Sequence, residues 1–128
     1  MLEDKMRTFL KSEAAVTAIY GDRIHPRRLP QRVTLPALTY QRIDTPRTPV
    51  HGEKSIFPRP RMQLTTWSKM SKAAWQGADV VRGLLDGFSG LMGSLTVTRC
   101  VIVNEMETDD PETGLVTVIQ DYMITYKD

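Results

Sequence analysis

The sequence predicts a single α+β domain over residues 1–128, with a largely antiparallel sheet of four to five strands and two main helices packed on one face. Three observations favour this class. Residues 2–19 and 74–88 repeat apolar side chains at helical spacing. Other segments alternate apolar and polar residues, as half-buried strands do. The length of 128 residues and the hydrophobic content of 41% suit one domain with its own core. The predicted element order is α-β-β-β-α-β-β.

The N-terminal helix is predicted from the apolar stripe that runs through residues 2–19. Ser12 is a candidate cap for a second helical turn, so we expect a break near Lys11. Gly21 follows the last apolar position and suits a helix C-terminus.

Three strands are expected next, a short one at residues 23–25 and two longer ones at residues 37–44 and 61–67. Residues 45–58 contain three prolines and no periodicity, which predicts a long loop. Long loops in compact domains are often mobile or functional, so we expect residues 46–58 to order on docking to a partner.

Ser68 or Ser71 is predicted to cap the second helix, which is predicted to end at a run of glycines. Two β-rich segments follow, at residues 95–106 and 115–126, and the residues between them have turn chemistry. At about 3.3 Å per residue such strands reach roughly 40 Å, which exceeds the needs of a small core. The tip of this hairpin is therefore expected to project or to pair with something.

The charged residues are unevenly distributed. Residues 23–61 carry nine basic and two acidic side chains, whereas residues 104–128 carry seven acidic side chains and one basic. These segments can neutralise each other inside one fold, or they can form separate faces that attract each other between copies. The sequence leaves both arrangements open.

Few residues have catalytic or metal-binding potential. His25 and His51 have no cysteine or carboxylate at ligand spacing and are predicted to be solvated loop residues. Cys100, the single cysteine, fits a reducing compartment and is expected to pack as a small apolar side chain. The acidic cluster at residues 105–112 lacks the residue order of a calcium loop, and Pro111 interrupts it. We therefore expect no enzyme activity, cofactor or metal.

The composition also bears on contact with a membrane and with nucleic acid. The longest uncharged run, residues 87–98, is too short and too polar to span a bilayer, so no membrane contact is expected. Residues 23–61 interleave basic and aromatic side chains, which makes a small nucleic-acid-binding module the alternative function. Their prolines interrupt any continuous element that would read a nucleic acid.

Three short segments carry a family resemblance. They read Ile-Tyr-Gly-Asp-Arg-Ile at residues 19–24, Leu-Pro-Gln at 29–31 and Leu-Pro-Ala-Leu-Thr-Tyr at 35–40. A strand that ends at Trp67 and an alanine-bearing helix at residues 69–85 continue the pattern. This pattern resembles the tail-completion family of long-tailed bacteriophages and prophages, and the resemblance covers most of the chain.

The resemblance implies a structural virion protein with the tail-terminator fold and with no catalytic residue or cofactor. Such a protein forms a ring, typically hexameric, at the head-proximal end of the tail and joins the tail to the head connector. The implied partners are further copies of the chain, the tail tube protein, the head connector protein and, non-specifically, DNA that passes through the ring. The implied location is the head–tail junction of a virion assembled in the bacterial cytoplasm.

A closed ring requires two different surfaces on each copy. The polarity of charge predicts which residues form them. The candidate interface residues are Arg42, Arg47, Lys54, Arg59 and Arg61 on the basic side and Glu105, Glu107, Asp109, Asp110 and Glu112 on the acidic side.

Overall fold

A computed structural model describes residues 2–44 and 59–127. The described residues form three helices and six strands. In chain order they are α1 (Leu2–Ser12), α2 (Ala14–Tyr20), β1 (Ile24–Pro26), β2 (Ala37–Asp44), β3 (Arg61–Ser68), α3 (Ser71–Leu85), β4 (Gly90–Met92), β5 (Leu95–Asp109) and β6 (Val116–Lys127). The prediction for residues 46–58 lies outside the described residues.

The strands form one sheet in the order β1-β2-β3-β6-β5-β4. All neighbouring pairs are antiparallel except β1 and β2, which are parallel. The α+β class and the order of the main elements are confirmed. The predicted count of four to five strands was wrong in detail, because the described residues form six strands, including the short β4. Gly93 has a positive φ angle of 64°, which allows the tight reversal from β4 into β5.

The break between α1 and α2 lies at Glu13, two residues beyond the predicted position. The α1 residues Leu2, Met6 and Leu10 are fully buried, as the spacing predicts. Gly21 ends α2 with φ at 61° and donates its backbone N–H to the carbonyl of Thr17.

Helix α3 buries a stripe that includes Ala74, Val81 and Leu85 against the sheet. The expected serine cap was wrong, because Met70 occupies the N-cap position and no side chain caps the helix. Ser68 instead lies at the end of β3 and is buried. The tertiary position of the strand, rather than local capping chemistry, sets where this helix begins.

The helices cover one face of the sheet. Alternate residues of β3, such as Met62, Leu64 and Thr66, point toward them and are buried. The hydroxyls of Tyr20 and Thr66 are 2.7 Å apart and hydrogen-bonded, which joins α2 to β3. The Gln120 side chain donates to the backbone carbonyl of Ala78 over 3.0 Å, which joins β6 to α3.

The predicted long hairpin is confirmed. Strand β5 has 15 residues and β6 has 12, and they pair from Thr96 and Lys127 to Asp109 and Val116. Register shifts at residues 97–99 and 102–104 mark bulges in β5. Strand β6 pairs with β3 as far as Val116, and Val116 packs with Trp75 of α3 against one buried cluster, so only the turn at residues 110–115 lies beyond this contact.

Candidate functional site

The basic residues predicted to lie at an interface are partly engaged within the chain. The Arg42 side chain lies on the helix-covered face, where its Nε is 2.7 Å from a carboxylate oxygen of Glu3. The Arg61 side chain forms a 2.6 Å ion pair with Asp121, whose side chain is only 6% exposed. Arg59 is exposed immediately before β3. Arg47 and Lys54 lie outside the described residues.

Two of the predicted acidic residues contact α3. Glu105 accepts two hydrogen bonds from Arg82, at 2.9 and 2.7 Å. Glu107 accepts hydrogen bonds from the Ser71 hydroxyl at 2.5 Å and from the Trp75 indole N–H at 2.6 Å. These two hydrogen bonds lower the pKa of the Glu107 carboxyl. Both carboxylates therefore fasten β5 to the helix.

The other three acidic residues lie at the hairpin tip. The Asp110 carboxylate accepts hydrogen bonds from the backbone N–H of Thr113 at 2.9 Å and from its hydroxyl at 2.7 Å. Gly114 completes this turn with φ at 72°. Asp109 and Glu112 are exposed, and their carboxylates make no hydrogen bond or ion pair with the described residues. The tip thus presents two unpaired negative charges on a defined turn.

The second face of the sheet, which the helices leave uncovered, carries a polar ladder. The Gln41 side-chain amide donates to the Gln63 side chain over 3.2 Å, and the Gln63 amide donates to Asp121 over 3.1 Å. Arg61 pairs with the other oxygen of the same carboxylate. These hydrogen bonds link the four side chains across β2, β3 and β6. We call this surface the open face.

A cavity of about 770 Å³ lies at one end of the open face, between the loop of residues 27–35 and the hairpin tip. Its walls carry opposite charges, with Arg27, Arg28 and Arg32 on the loop and Asp110 and Glu112 on the tip. Arg27 and Arg32 have positive φ angles of 66° and 58°, which are uncommon for residues with a side chain.

The cavity brings part of the basic segment close to part of the acidic segment within one chain. No ion pair between described residues crosses it. The intramolecular arrangement that the sequence left open is therefore realised in part, through the pair of Arg61 with Asp121 and through this cavity, whereas Arg42 pairs with Glu3 outside the acidic segment. The three loop arginines were counted in the sequence but not singled out. The prolines at positions 26 and 30 were the signal that the loop would hold them at the surface.

The residues with catalytic potential are placed apart from one another. Cys100 is buried, and burial raises the pKa of its thiol to about 12. His25 is half-buried on β1. Among the described residues, no three His, Cys, Asp or Glu side chains come together as a metal site would require. None of the described helices has the length and apolar character that crossing a membrane would need.

Comparison with known proteins identifies the family. The family model of the tail completion protein gp17 matches residues 4–127. The chain belongs to this family. The resemblance drawn from the short segments at residues 19–24 and 35–40 is confirmed, and this tail completion chain has a structural role in a phage tail. Membership in a structural virion family also supports the expectation that the chain is not an enzyme.

A solved structure shares the fold. A chain from the virion of a native gene transfer agent particle matches with a TM-score of 0.72 at 10% sequence identity. The match covers 94% of the tail completion chain and 90% of the other chain. No curated protein matches at a significant level. At this identity the similarity shows a shared fold and nothing more.

Proposed function

We propose that this chain forms a ring at the head-proximal end of a phage tail and joins the tail to the head connector during assembly. The observation that carries the proposal is the tail completion family match over residues 4–127. The similar fold of a chain in a gene transfer agent virion supports a place in a phage-like particle. The partners are further copies of the chain, the tail tube protein and the connector protein, and the ring is hexameric.

We propose an interface that uses fewer residues than the ten predicted from the charges. A closed ring uses two different surfaces of each copy. Arg42, Arg61, Glu105 and Glu107 have partners within their own chain and stabilise the subunit. Asp109 and Glu112 at the hairpin tip are exposed, so their carboxylates are available for contacts between copies. We infer that Asp109 and Glu112 of one copy meet basic residues of the next, and that Arg47, Lys54 and Arg59 supply this second surface. Arg59 is exposed, although it also has a contact within its own chain.

The test combines light scattering of the purified chain with negative-stain images, alone and with tail tubes. The variant Asp109→Lys with Glu112→Lys reverses the charge of the tip and should prevent ring assembly, because like charges then face each other. The matched control, Asp4→Lys with Asp22→Lys, makes the same change of net charge at two exposed acids outside the hairpin. The control should assemble as the wild type does.

Two results would contradict this proposal. A chain that stays monomeric at all concentrations and ignores tail tubes would exclude the ring. Rings that form equally well from the tip variant would exclude the tip as the interface. Restored assembly on mixing the tip variant with an Arg59→Glu variant would support the pairing directly, since this exchange re-creates opposite charges.

Nucleic-acid binding is a second candidate, supported by the loop arginines. Arg27, Arg28 and Arg32 are exposed, and their side chains make no hydrogen bond or ion pair with the described residues. Three phosphate contacts would give a slope of about −3 when the logarithm of the DNA association constant is plotted against that of salt concentration. The acidic tip across the cavity opposes such binding, so we expect a shallower slope. A slope of about −3 that Arg28→Ala reduces by about one would favour the nucleic-acid function.

A further inference from the structure

The outer edge of β5 is open over half its length. On this side β5 pairs with β4 only at Leu95, Thr96 and Val97. The next part is closed by the α3–β4 connection, since Gly87 donates its N–H to the Cys100 carbonyl and the Ile102 N–H donates to the Asp86 carboxylate. Beyond this point, no described residue outside β6 bonds to the backbone of residues 103–109. We call this segment, about 23 Å long at about 3.3 Å per residue, the open edge.

Strand β1, which lies at the opposite edge of the sheet, is closed in contrast. The Ile24 N–H bonds to the Asp22 carbonyl over 2.9 Å, and the Ile24 carbonyl accepts from Arg7 over 3.2 Å. Pro26 has no N–H, and its carbonyl accepts from the backbone of Arg28 at 2.7 Å. Sheet proteins commonly protect their edges in this way, because an unprotected edge pairs with other chains. The open edge contains neither proline nor lysine.

The open edge is held rigid and presents apolar side chains. Glu105 and Glu107 anchor it to α3 through Arg82, Ser71 and Trp75. Val103 and Met106 are each 48% exposed although they are large and apolar. In an antiparallel strand, the N–H and C=O groups of alternate residues point away from the paired neighbour. The open edge is therefore already in the conformation that pairing with a further strand requires.

The negative charge of the hairpin indicates which kind of chain could pair with the open edge. Residues 103–112 carry five acidic side chains and no basic one. The same edge in a second copy has the same charge, and β1 is closed, so a second copy is disfavoured. We propose that the open edge takes up an extended basic segment of another tail protein as an additional strand, by β-augmentation. The expectation of such a partner rests on the proposed role in tail assembly, whereas the edge itself does not.

The experiment uses the full-length chain and two synthetic decapeptides, one alternating threonine and lysine and the other alternating threonine and glutamate. Amide hydrogen exchange of residues 103–109 is measured by NMR during titration. At ten times its Kd the basic peptide should slow exchange about tenfold, and only at alternate residues, because only their N–H groups face the new strand. The acidic peptide should leave exchange unchanged.

Two variants distinguish peptide binding at the open edge from a general effect of added positive charge. Val103→Lys with Met106→Lys places lysines on the open edge, which should reduce affinity for the basic peptide at least tenfold. Ile43→Lys with Leu91→Lys is the matched control, since these side chains are 45% and 70% exposed and belong to β2 and β4 rather than to the open edge. The control should lose less than about threefold through general repulsion of the peptide.

Each contrary result overturns the inference. Absence of alternating protection with the basic peptide would show that the edge takes no strand. Equal protection by the acidic peptide would exclude the charge argument. Alternating protection that appears without peptide as protein concentration rises would make a second copy the occupant. Since the free chain is measured, the outcome is independent of ring formation, and a failed ring leaves the result on the edge intact.

Discussion

Gly77 in the middle of α3 provides a sharp test of how the helices pack on the sheet. A Cβ added at this position would overlap the Tyr20 hydroxyl oxygen and lie 2.8 Å from the Tyr20 Cζ and 3.2 Å from the Thr66 Cγ2. Tyr20 is fully buried, and its hydroxyl is hydrogen-bonded to the Thr66 hydroxyl. The Gly77→Ala substitution must therefore displace a buried aromatic ring and break this hydrogen bond.

The expected magnitude follows from three effects. Overpacking a core costs about 1–3 kcal/mol. Leaving a buried hydroxyl unsatisfied costs about 1–3 kcal/mol. Replacing glycine by alanine inside a helix gains about 1 kcal/mol. The net result for Gly77→Ala is a loss of about 3 kcal/mol in the free energy of unfolding, or a decrease of about 12 °C in Tm for a chain of this size.

Gly83 supplies the control in the same helix. A Cβ at Gly83 meets nothing within 4 Å, so Gly83→Ala gains only the helix propensity and should raise stability by about 1 kcal/mol. Urea unfolding followed by circular dichroism measures both variants. Equal stabilities of the two variants would refute the packing described between α2, α3 and β3. Adding Tyr20→Phe to Gly77→Ala removes the overlapping oxygen and should recover part of the loss.

Three further predictions concern single side chains. Asp121→Asn should lower the free energy of unfolding by about 2 kcal/mol, because it removes the charge that pairs with Arg61 on the open face. Urea unfolding measures this loss, and an unchanged urea midpoint would show that the ion pair of Arg61 and Asp121 does not stabilise the chain. The pKa of Glu107 is lowered in the fold, so its stabilising contribution is present above the unfolded pKa and is lost as pH falls through the folded value. Ser71→Ala should raise that pKa in an NMR titration, and no change would remove the hydroxyl as the cause. Cys100, with its pKa raised to about 12, should react with a thiol reagent at pH 8 only on unfolding.

The sequence predicted those elements in which local pattern and tertiary role agree. Strand β3, the stripe of α3 and the long hairpin have side-chain periodicities that match their burial, so periodicity was sufficient to place them. Strand β4 was missed because its residues, Gly90–Met92, adjoin glycines that locally resemble a helix terminator. Its strand character depends on pairing with the start of β5, which no local pattern encodes.

From the sequence, the candidate interface could be predicted only as two groups of charged residues, without their contacts. Which charges are engaged within the subunit depends on contacts between distant residues, such as Arg42 with Glu3 and Glu107 with Ser71 and Trp75. Composition and spacing carry no information about these pairs. The sequence therefore identified the acidic hairpin correctly as an unusual feature, while the division of its residues between anchoring and exposure required the fold.

The two uncommitted surfaces of the sheet differ in what they require from a partner. On the open face, the side chains of Gln41, Gln63, Arg61 and Asp121 already hydrogen-bond to one another, so a partner would gain little by replacing these bonds. The open edge has outward-facing backbone groups that bond to no described residue, together with two exposed apolar side chains. Adding a strand there forms new backbone hydrogen bonds and buries apolar surface without breaking any contact inside the subunit. Partner binding should therefore perturb residues 103–109 before it perturbs the ladder of the open face.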